Sequence, residues 1–233
     1  MMNNAEILSC IEIEPDLPAK YSIIWLHGLG ADGNDFVPVA TELNTRTASA
    51  IRFIFPHAPI MPITINNGYE MRAWYDIQTF SFNDIDSEGI ARSIAHIQKL
   101  IAREMDRGIA CDHIFLAGFS QGAAIALTTG ICYPKPLAGI IALSGYLPGK
   151  EELKEKIAAC NKNIPIFLAH GTDDPILPFT LALATKTFLT ELGYPVSWHS
   201  YHIPHSVCGE EIEDLRKWLD EISNKNKGDT NRE

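Results

Sequence analysis

Two hydrophobic patterns alternate along the 233-residue chain. Short runs of consecutive apolar residues, several of them β-branched, are typical of buried strands, whereas apolar residues three or four positions apart are typical of amphipathic helices. Their alternation favours a mainly parallel sheet flanked by helices on both faces, so we predict an α/β fold. The predicted strands are residues 7–13, 21–26, 51–55, 113–118, 139–143, 166–169 and 196–201.

Three segments carry the helical spacing. Residues 85–106 place their apolar side chains on one face of a helix, and residues 181–192 and 211–222 do the same. Gly193 and Pro195 end the second of these, because glycine is favoured just after a helix and proline cannot continue one.

The chain shows no sign of division into several domains. No linker, repeat or low-complexity tract interrupts it, so we predict one domain over residues 1–222. Residues 223–233 contain no large apolar side chain, and we expect them to form a polar, frayed tail.

Composition disfavours several functions. The formal net charge of −10, with no compensating cluster of Lys and Arg, disfavours binding to nucleic acid and to anionic membrane surfaces. No apolar segment has the length of a membrane span or signal peptide, which predicts a cytoplasmic protein without stable membrane insertion. The five cysteines are scattered and lack a C-x-x-C pair, so we expect free thiols rather than a disulfide framework.

A G-x-S-x-G pentapeptide at residues 118–122 gives the strongest indication of chemistry. It follows a predicted strand and precedes a run of small residues that favours a helix. A strand, a sharp turn and a helix form the setting in which this motif presents a serine hydroxyl at the carboxyl edge of a sheet. We therefore predict that Ser120 is a nucleophile, which requires a base and a carboxylate that orients the base.

Two aspartates follow the predicted strand at residues 166–169, within the sequence HGTDDP of residues 170–175. Either carboxylate could orient the base. We favour Asp174, because Pro175 restricts its backbone and fixes the turn there, whereas turn chemistry alone explains Asp173.

Three histidines lie beyond these aspartates, in the order nucleophile, acid and base that α/β-hydrolases use. His205 is our candidate base, because it lies past Pro204 in the loop before the last predicted helix. His202 is the main alternative, and His199 falls within a predicted strand.

The spacing of these histidines also raises a zinc site as an alternative, since they and Cys208 recur at intervals of three residues. Pro204 disfavours a helix here, and on a strand His199 and His202 would point to opposite faces. We therefore predict no metal site.

Backbone N–H groups are expected to hold the oxyanion that develops during acyl transfer. One belongs to Gln121, the residue after the nucleophile. We assign the other to Leu29, in the glycine-rich turn HGLG at residues 27–30. His27 precedes the serine in the chain and is therefore the less suitable base.

One long stretch, residues 57–83, is too rich in aromatic and apolar residues for a solvated loop. We expect it to lie over the site as part of an acyl-binding surface; a loop that only covers an edge of the core is the alternative. Trp74 and Met71 from this stretch, with Leu177 from the loop after Asp174, are the candidate substrate-binding residues.

These segments together resemble the phospholipase/carboxylesterase family, which includes acyl-protein thioesterases and bacterial carboxylesterases. One departure is Ala123, where many relatives carry a further glycine. The resemblance rests on the sequences HGLGADG (27–33), PHAP (56–59), MRAWYD (71–76), GFSQG (118–122), HGTDDP (170–175) and PHSVC (204–208).

The resemblance implies an α/β-hydrolase fold without a separate lid domain. It implies hydrolysis of carboxylic esters or thioesters of acyl chains, without metal or organic cofactor, in a family whose members often form homodimers. Lysophospholipids and S-acylated proteins are alternative physiological substrates, a peptidase is a further acyl-transfer alternative, and a non-catalytic binding protein of the same fold is the alternative from another class. The positions that match the family's triad and oxyanion donors are Ser120, Asp174 and His205, and Leu29 and Gln121.

Overall fold

The computed structural model describes residues 7–47, 49–79 and 85–229. Strands and helices alternate along most of these residues, with short 3₁₀ turns at Thr64–Asn66, Cys111–His113 and Ala159–Asn161. Their order is β1 (Cys10–Ile13), β2 (Tyr21–Leu26), α1 (Val37–Arg46), β3 (Ile51–Pro56), β4 (Ile60–Ile63), β5 (Tyr69–Arg72), α2 (Ser87–Asp106), β6 (Ile114–Phe119), α3 (Gln121–Cys132), β7 (Gly139–Leu143), α4 (Lys150–Lys154), β8 (Ile166–Gly171), α5 (Phe179–Glu191), β9 (Val196–Tyr201) and α6 (Gly209–Asp229).

Seven of the described strands form one sheet, in the order β1-β3-β2-β6-β7-β8-β9. Strand β1 runs antiparallel to β3, and the remaining neighbours are parallel. The predicted α/β architecture is therefore confirmed. Because the carboxyl ends of parallel strands meet at one edge, the loops after β2, β6, β8 and β9 lie together there, where folds of this class bind ligands.

Side chains of each central strand pack to both faces of the sheet, as β2 shows. Ile24 and Leu26 belong to a core cluster shared with α2, α3 and α5. Ile23 and Trp25 belong to a second cluster, shared with α1 and α6. All six residues of β2 are buried, and burial on both faces explains why its sequence is apolar throughout rather than alternating.

Residues 57–79 hold a small hairpin rather than the continuous loop that we expected. Strands β4 and β5 pair antiparallel as a separate two-stranded sheet. The connection between them includes the 3₁₀ turn and ends with Asn67 and Gly68, whose φ values are 56° and 76°. The N–H of Gly68 donates to the carbonyl of Ile63 over 2.9 Å. Residues 80–84 of the expected loop lie outside the described residues.

The predicted polar tail begins as helix, which corrects the boundary at residue 222. Helix α6 continues to Asp229. Ser223 is buried, and its carbonyl accepts a hydrogen bond of 3.4 Å from the hydroxyl of Tyr21. A helix that is already nucleated gains one hydrogen bond for each added residue, so it extends without further large apolar side chains. Residues 230–233 lie outside the described residues.

Candidate active site

Ser120 occupies the sharp turn between β6 and α3. Its φ of 54° and ψ of −117° lie outside the regions that residues with a Cβ usually adopt, so the turn holds backbone strain. Glycines make the turn possible, because a Cβ on Gly118 would collide with the backbone of Gly122, and a Cβ on Gly122 would collide with the carbonyl of Leu26. The Ser120 hydroxyl therefore projects from the carboxyl edge of the sheet.

His205 connects Ser120 to Asp174 through hydrogen bonds on both sides of its ring. Its Nε2 lies 2.9 Å from the Oγ of Ser120, and its Nδ1 lies 2.6 Å from the Oδ2 of Asp174. The imidazole also packs against Phe119, with 4.8 Å between ring centroids. Since a carboxylate only accepts, Nδ1 carries the proton and Nε2 is free to accept one from the Ser120 hydroxyl.

Asp174 is held in place by the backbone of its own loop. Its carboxylate is completely buried. The second oxygen, Oδ1, accepts the N–H of Ile176 over 2.8 Å and the N–H of Leu177 over 2.9 Å. These two donors fix the direction in which Oδ2 faces His205.

His170 contacts the same loop through its buried imidazole. Its Nε2 lies 2.9 Å from the carbonyl of Leu177 and 3.3 Å from the Oδ2 of Asp174. Burial lowers the pKa of His170, so its ring is neutral at pH 7. Because the carbonyl only accepts, Nε2 carries the proton of that neutral ring.

The alternative candidates lie elsewhere. The side chains of Asp173 and His202 are 65% and 93% exposed and approach each other only to 3.9 Å. His199 stacks on Phe167, with 4.5 Å between ring centroids. The three histidines thus have different partners, and the described part of the chain holds no group of three metal-binding side chains.

The two residues predicted to supply oxyanion donors line the same cavity as Ser120 and His205. Gln121 is the first residue of α3, and N–H groups in the first turn of a helix have no intrahelical acceptor. Leu29 lies in the turn after β2, which is tied down where the N–H of the next residue, Gly30, donates to the carbonyl of Arg72 over 2.9 Å.

His27 has a structural role in this turn. Its Nδ1 lies 2.7 Å from the carbonyl of Gly28, and its Nε2 accepts the N–H of Ala58 over 3.1 Å. Burial lowers the pKa of His27 to about 4. The ring is therefore neutral with its proton on Nδ1, and both nitrogens are already occupied.

The side chain of Gln121 joins the turn at Ser120 to the segment after β5. Its Oε1 accepts the N–H of Trp74 over 2.8 Å, and its Nε2 donates to the carbonyl of Tyr75 over 2.7 Å. The Trp74 indole donates to the carbonyl of His27 over 2.9 Å. Trp74 is 2% exposed, so it is buried where the turn after β2 meets the turn at Ser120 and contacts both.

A cavity of about 360 Å³ opens beside Ser120. Of the three residues expected at a substrate-binding surface, Leu177 lines it, whereas Trp74 and Met71 are not among the lining residues. Its wall is mostly apolar and aromatic. The lining residues are Gly28, Leu29, Ala31, Asp35, Ile65, Asn66, Tyr75, Ile77, Phe119, Ser120, Gln121, Tyr146, Pro175, Ile176, Leu177 and His205.

The chain is similar to known proteins over most of its length. The sequence profile of the phospholipase/carboxylesterase family matches residues 8–223. Acyl-protein thioesterase 1 of Yarrowia lipolytica is 38% identical over 88% of this chain and 95% of its own length. This chain belongs to the phospholipase/carboxylesterase family. The crystal structure of SOBER1 from Arabidopsis thaliana superposes with a TM-score of 0.82 at 31% identity, covering 88% of this chain and 99% of that chain.

Family membership establishes the α/β-hydrolase fold and a serine hydrolase of the carboxylesterase or thioesterase type. Besides the thioesterases, the curated relatives include the carboxylesterase SOBER1, which is 32% identical over 86% of this chain and 90% of its own length. Among the described residues, no helix is long and apolar enough to cross a membrane.

Two residues that line the cavity, Tyr75 and Tyr146, were not predicted from the sequence. Their hydroxyls lie 3.0 Å apart, and burial raises the pKa of both phenols, so both stay protonated. Tyr75 directly follows Trp74, which the sequence analysis had placed at the substrate-binding surface. Tyr146 lies in the loop after β7, for which no motif gave a signal.

Proposed function

We propose that the chain hydrolyses acyl esters and thioesters through a covalent acyl-enzyme on Ser120. The observation that carries the proposal is the hydrogen-bonded series from Ser120 through His205 to Asp174 at the wall of an apolar cavity. A serine hydroxyl is a weak nucleophile at neutral pH, and a neutral imidazole within hydrogen-bonding distance activates it.

In the acylation step, the Oγ of Ser120 attacks the acyl carbonyl and its proton passes to the Nε2 of His205. The carbonyl oxygen becomes an oxyanion, which accepts hydrogen bonds from the N–H groups of Leu29 and Gln121. The tetrahedral intermediate then collapses. The bond to the leaving group breaks, and His205 gives its proton to the departing oxygen or sulfur.

In the deacylation step, a water molecule gives a proton to His205 while its oxygen attacks the acyl-enzyme. The second tetrahedral intermediate releases the carboxylic acid and returns the proton to Ser120. Asp174 keeps the Nδ1 proton of His205 in place throughout and stabilises the imidazolium formed in both steps.

The cavity supports an acyl group as the recognised part of the substrate. Its volume of about 360 Å³ is in the range of small-molecule sites. Ile176 and Leu177 line one part of its wall, and Ile65 and Ile77 line another. Because several relatives are named acyl-protein thioesterases, we propose acyl thioesters, those of S-acylated proteins included, as substrates alongside simple esters.

A variant at Ser120 tests the proposal. In Ser120→Ala we expect kcat for a p-nitrophenyl ester to fall by a factor on the order of 10⁴ to 10⁶, together with loss of labelling by a fluorophosphonate. The exposed Ser200 on β9 offers a matched control, and Ser200→Ala should retain both. Near-normal turnover by Ser120→Ala would refute the assignment. Parallel assays of an ester and an amide of the same acid separate an esterase from a peptidase.

A further inference from the structure

Asp35 brings a carboxylate to the wall of the cavity that holds Ser120. It lies between β2 and α1, in the same segment that supplies Gly28, Leu29 and Ala31 to that wall. The residue as a whole is exposed to solvent, so it lies on the open side of the cavity. Its carboxylate is therefore accessible to a bound ligand at the edge of a largely apolar cavity.

The carboxylate of Asp35 makes no interaction that stabilises the fold within the described residues. The neighbouring Asp32 is explained by its turn, since its Oδ1 accepts the N–H of Asn34 over 2.8 Å and the side-chain amide of the same residue over 3.0 Å. Asp35, in contrast, has no side-chain hydrogen bond and no ion pair within the described parts of the chain. Its free lone pairs are available to a ligand.

The surroundings leave the charge of Asp35 uncompensated. Burial raises the pKa of its carboxyl, and the negative charge of Asp32 raises it further. Among the described residues that line the cavity, none is Lys or Arg. The net charge of the whole chain is −10, so the longer-range field also favours cations over anions near the site.

The same cavity contains aromatic residues that can attract a cation. Tyr75, Phe119 and Tyr146 all line it, and aromatic rings attract ammonium groups through their negative faces. The acyl chain of an ester or thioester carries no positive charge and fits the aliphatic wall. A positive charge would therefore have to come from the other half of the substrate.

We infer that the enzyme prefers acyl substrates whose leaving group carries a positive charge, and that Asp35 is the specificity-determining residue that recognises this charge. The inference rests on the proposed function and refines it. The charge takes no part in bond breaking. It lies beside the departing oxygen or sulfur and is attracted to the carboxylate of Asp35 in the complex and in the transition state.

Three thioesters with one acyl group test the inference. S-butyrylthiocholine has a cationic leaving group, S-butyryl-2-mercaptoethanol a neutral one, and S-butyryl-2-mercaptoethanesulfonate an anionic one. We expect Asp35→Asn to lower the ratio of kcat/KM for the cationic substrate to that for the anionic substrate by roughly three- to tenfold, the range for one charge pair in partial contact with water. Intrinsic reactivity cancels, because every protein receives the same compounds.

Asp16→Asn is the matched control. Asp16 is exposed and follows β1, whose antiparallel direction places it at the opposite edge of the sheet from Ser120. This variant removes the same charge from the molecule and should leave the ratio unchanged. Asp35→Glu keeps the charge and should retain most of the preference.

Salt provides a test on the unmodified protein, and it applies even where Asp35→Asn folds poorly. The cationic-to-anionic ratio should fall between roughly 0.02 M and 0.5 M salt, because the Debye length shortens over this range. A ratio that is insensitive to salt contradicts the inference.

Peptides distinguish the sources of the positive charge. S-octanoyl cysteine peptides with Lys beside the cysteine should be hydrolysed faster than those with Glu there if any cation is recognised. A preference restricted to thiocholine would assign the site to quaternary ammonium groups. A ratio that is unchanged in Asp35→Asn, or lowered equally in Asp16→Asn, overturns the inference. Failure of the proposed function gives a different result: hydrolysis of the neutral thioester would then not require Ser120.

Discussion

The buried Nε2 of His170 lies 3.3 Å from the Oδ2 of Asp174, the oxygen that also faces His205. The same nitrogen donates to the carbonyl of Leu177, whose N–H donates back to Asp174. One neutral imidazole thus closes the loop that presents the carboxylate. His170 is therefore a positioning residue for Asp174 rather than a group that touches substrate.

Replacement of His170 should lower kcat more than it changes KM. In His170→Leu the carbonyl of Leu177 loses its donor and the carboxylate of Asp174 is less well fixed, so we expect kcat to fall about tenfold. His170→Gln keeps a side-chain N–H that can reach the carbonyl and should recover most of this loss. Steady-state kinetics on both variants checks the split, and equal losses in the two would contradict this role.

The two adjacent aspartates provide a matched pair. Asp174→Asn should lower kcat by a factor on the order of 10³ to 10⁴, because an amide no longer holds the Nδ1 proton of His205 in place. Asp173→Asn should change it less than about twofold, since that side chain is largely exposed. Ester hydrolysis at pH 7 measures both, and similar losses in the two variants would show that the assignment between the aspartates is wrong.

A buried carboxyl in α6 should make stability depend on pH. Glu211 is 1% exposed, and its Oε1 has no partner within the described chain. Burial raises the pKa of Glu211 from 4.5 to about 8, although the Cys208 N–H partly offsets this effect. The folded state therefore holds the proton more tightly than the unfolded state does. Its contribution to stability is complete below about pH 4.5 and is lost as the pH rises to about 8.

Glu211→Gln removes this titration while keeping an acceptor oxygen. Between pH 5 and pH 8 we expect the free energy of unfolding of the unmodified protein to fall by at least about 1 kcal/mol relative to the variant. Urea denaturation at several pH values measures the difference. The exposed neighbour Glu210 provides the control, and Glu210→Gln should follow the pH dependence of the unmodified protein.

Ala123 and Gly145 should be coupled in stability. A Cβ on Gly145 would collide with the Cβ of Ala123 and would lie 3.2 Å from the carbonyl oxygen of Ser120. Gly145→Ala alone should therefore destabilise the protein by about 1–3 kcal/mol. In the double variant with Ala123→Gly the first collision disappears, so we expect recovery of about 1 kcal/mol beyond additivity. Denaturation of the four proteins gives the coupling energy, and strict additivity would argue against this contact.

Structural features that depend on one short segment of the sequence were predicted most accurately. The β2 and β7 boundaries agree with the predicted strands, because continuous apolar runs with clear ends define them. The turn at Ser120 is equally local, since its glycines are needed for backbone clearance. The β4–β5 hairpin also had a local signal, because Asn67 and Gly68 in its connection both have positive φ values, which asparagine and glycine adopt more readily than other residues. The long aromatic stretch around them obscured this signal.

Properties that depend on packing between distant segments could not be predicted in this way. Trp74 and Tyr75 are adjacent and both aromatic, yet only Tyr75 lines the cavity, because hydrogen bonds to His27 and Gln121 hold Trp74 beneath the loops. Asp32 and Asp35 look alike in sequence, and only their partners distinguish them. The hydrogen bond from the Tyr21 hydroxyl to the carbonyl of Ser223 in α6 likewise joins segments that are far apart in the chain.

The proposed mechanism makes hydrolysis depend on strand register, because Ser120 lies at the end of β6 and Asp174 and His205 lie in the loops after β8 and β9. Three ladders must be aligned at once, with Phe119 beside Leu143, Leu143 beside Ala169, and Gly171 beside Tyr201. A slip of one residue in any ladder shifts the following loop by about 3.3 Å, which exceeds the tolerance of a hydrogen bond. A refolded chain with the full content of strand and helix but one misaligned ladder would therefore be inactive, so enzymatic activity reports the correct assembly of this half of the sheet.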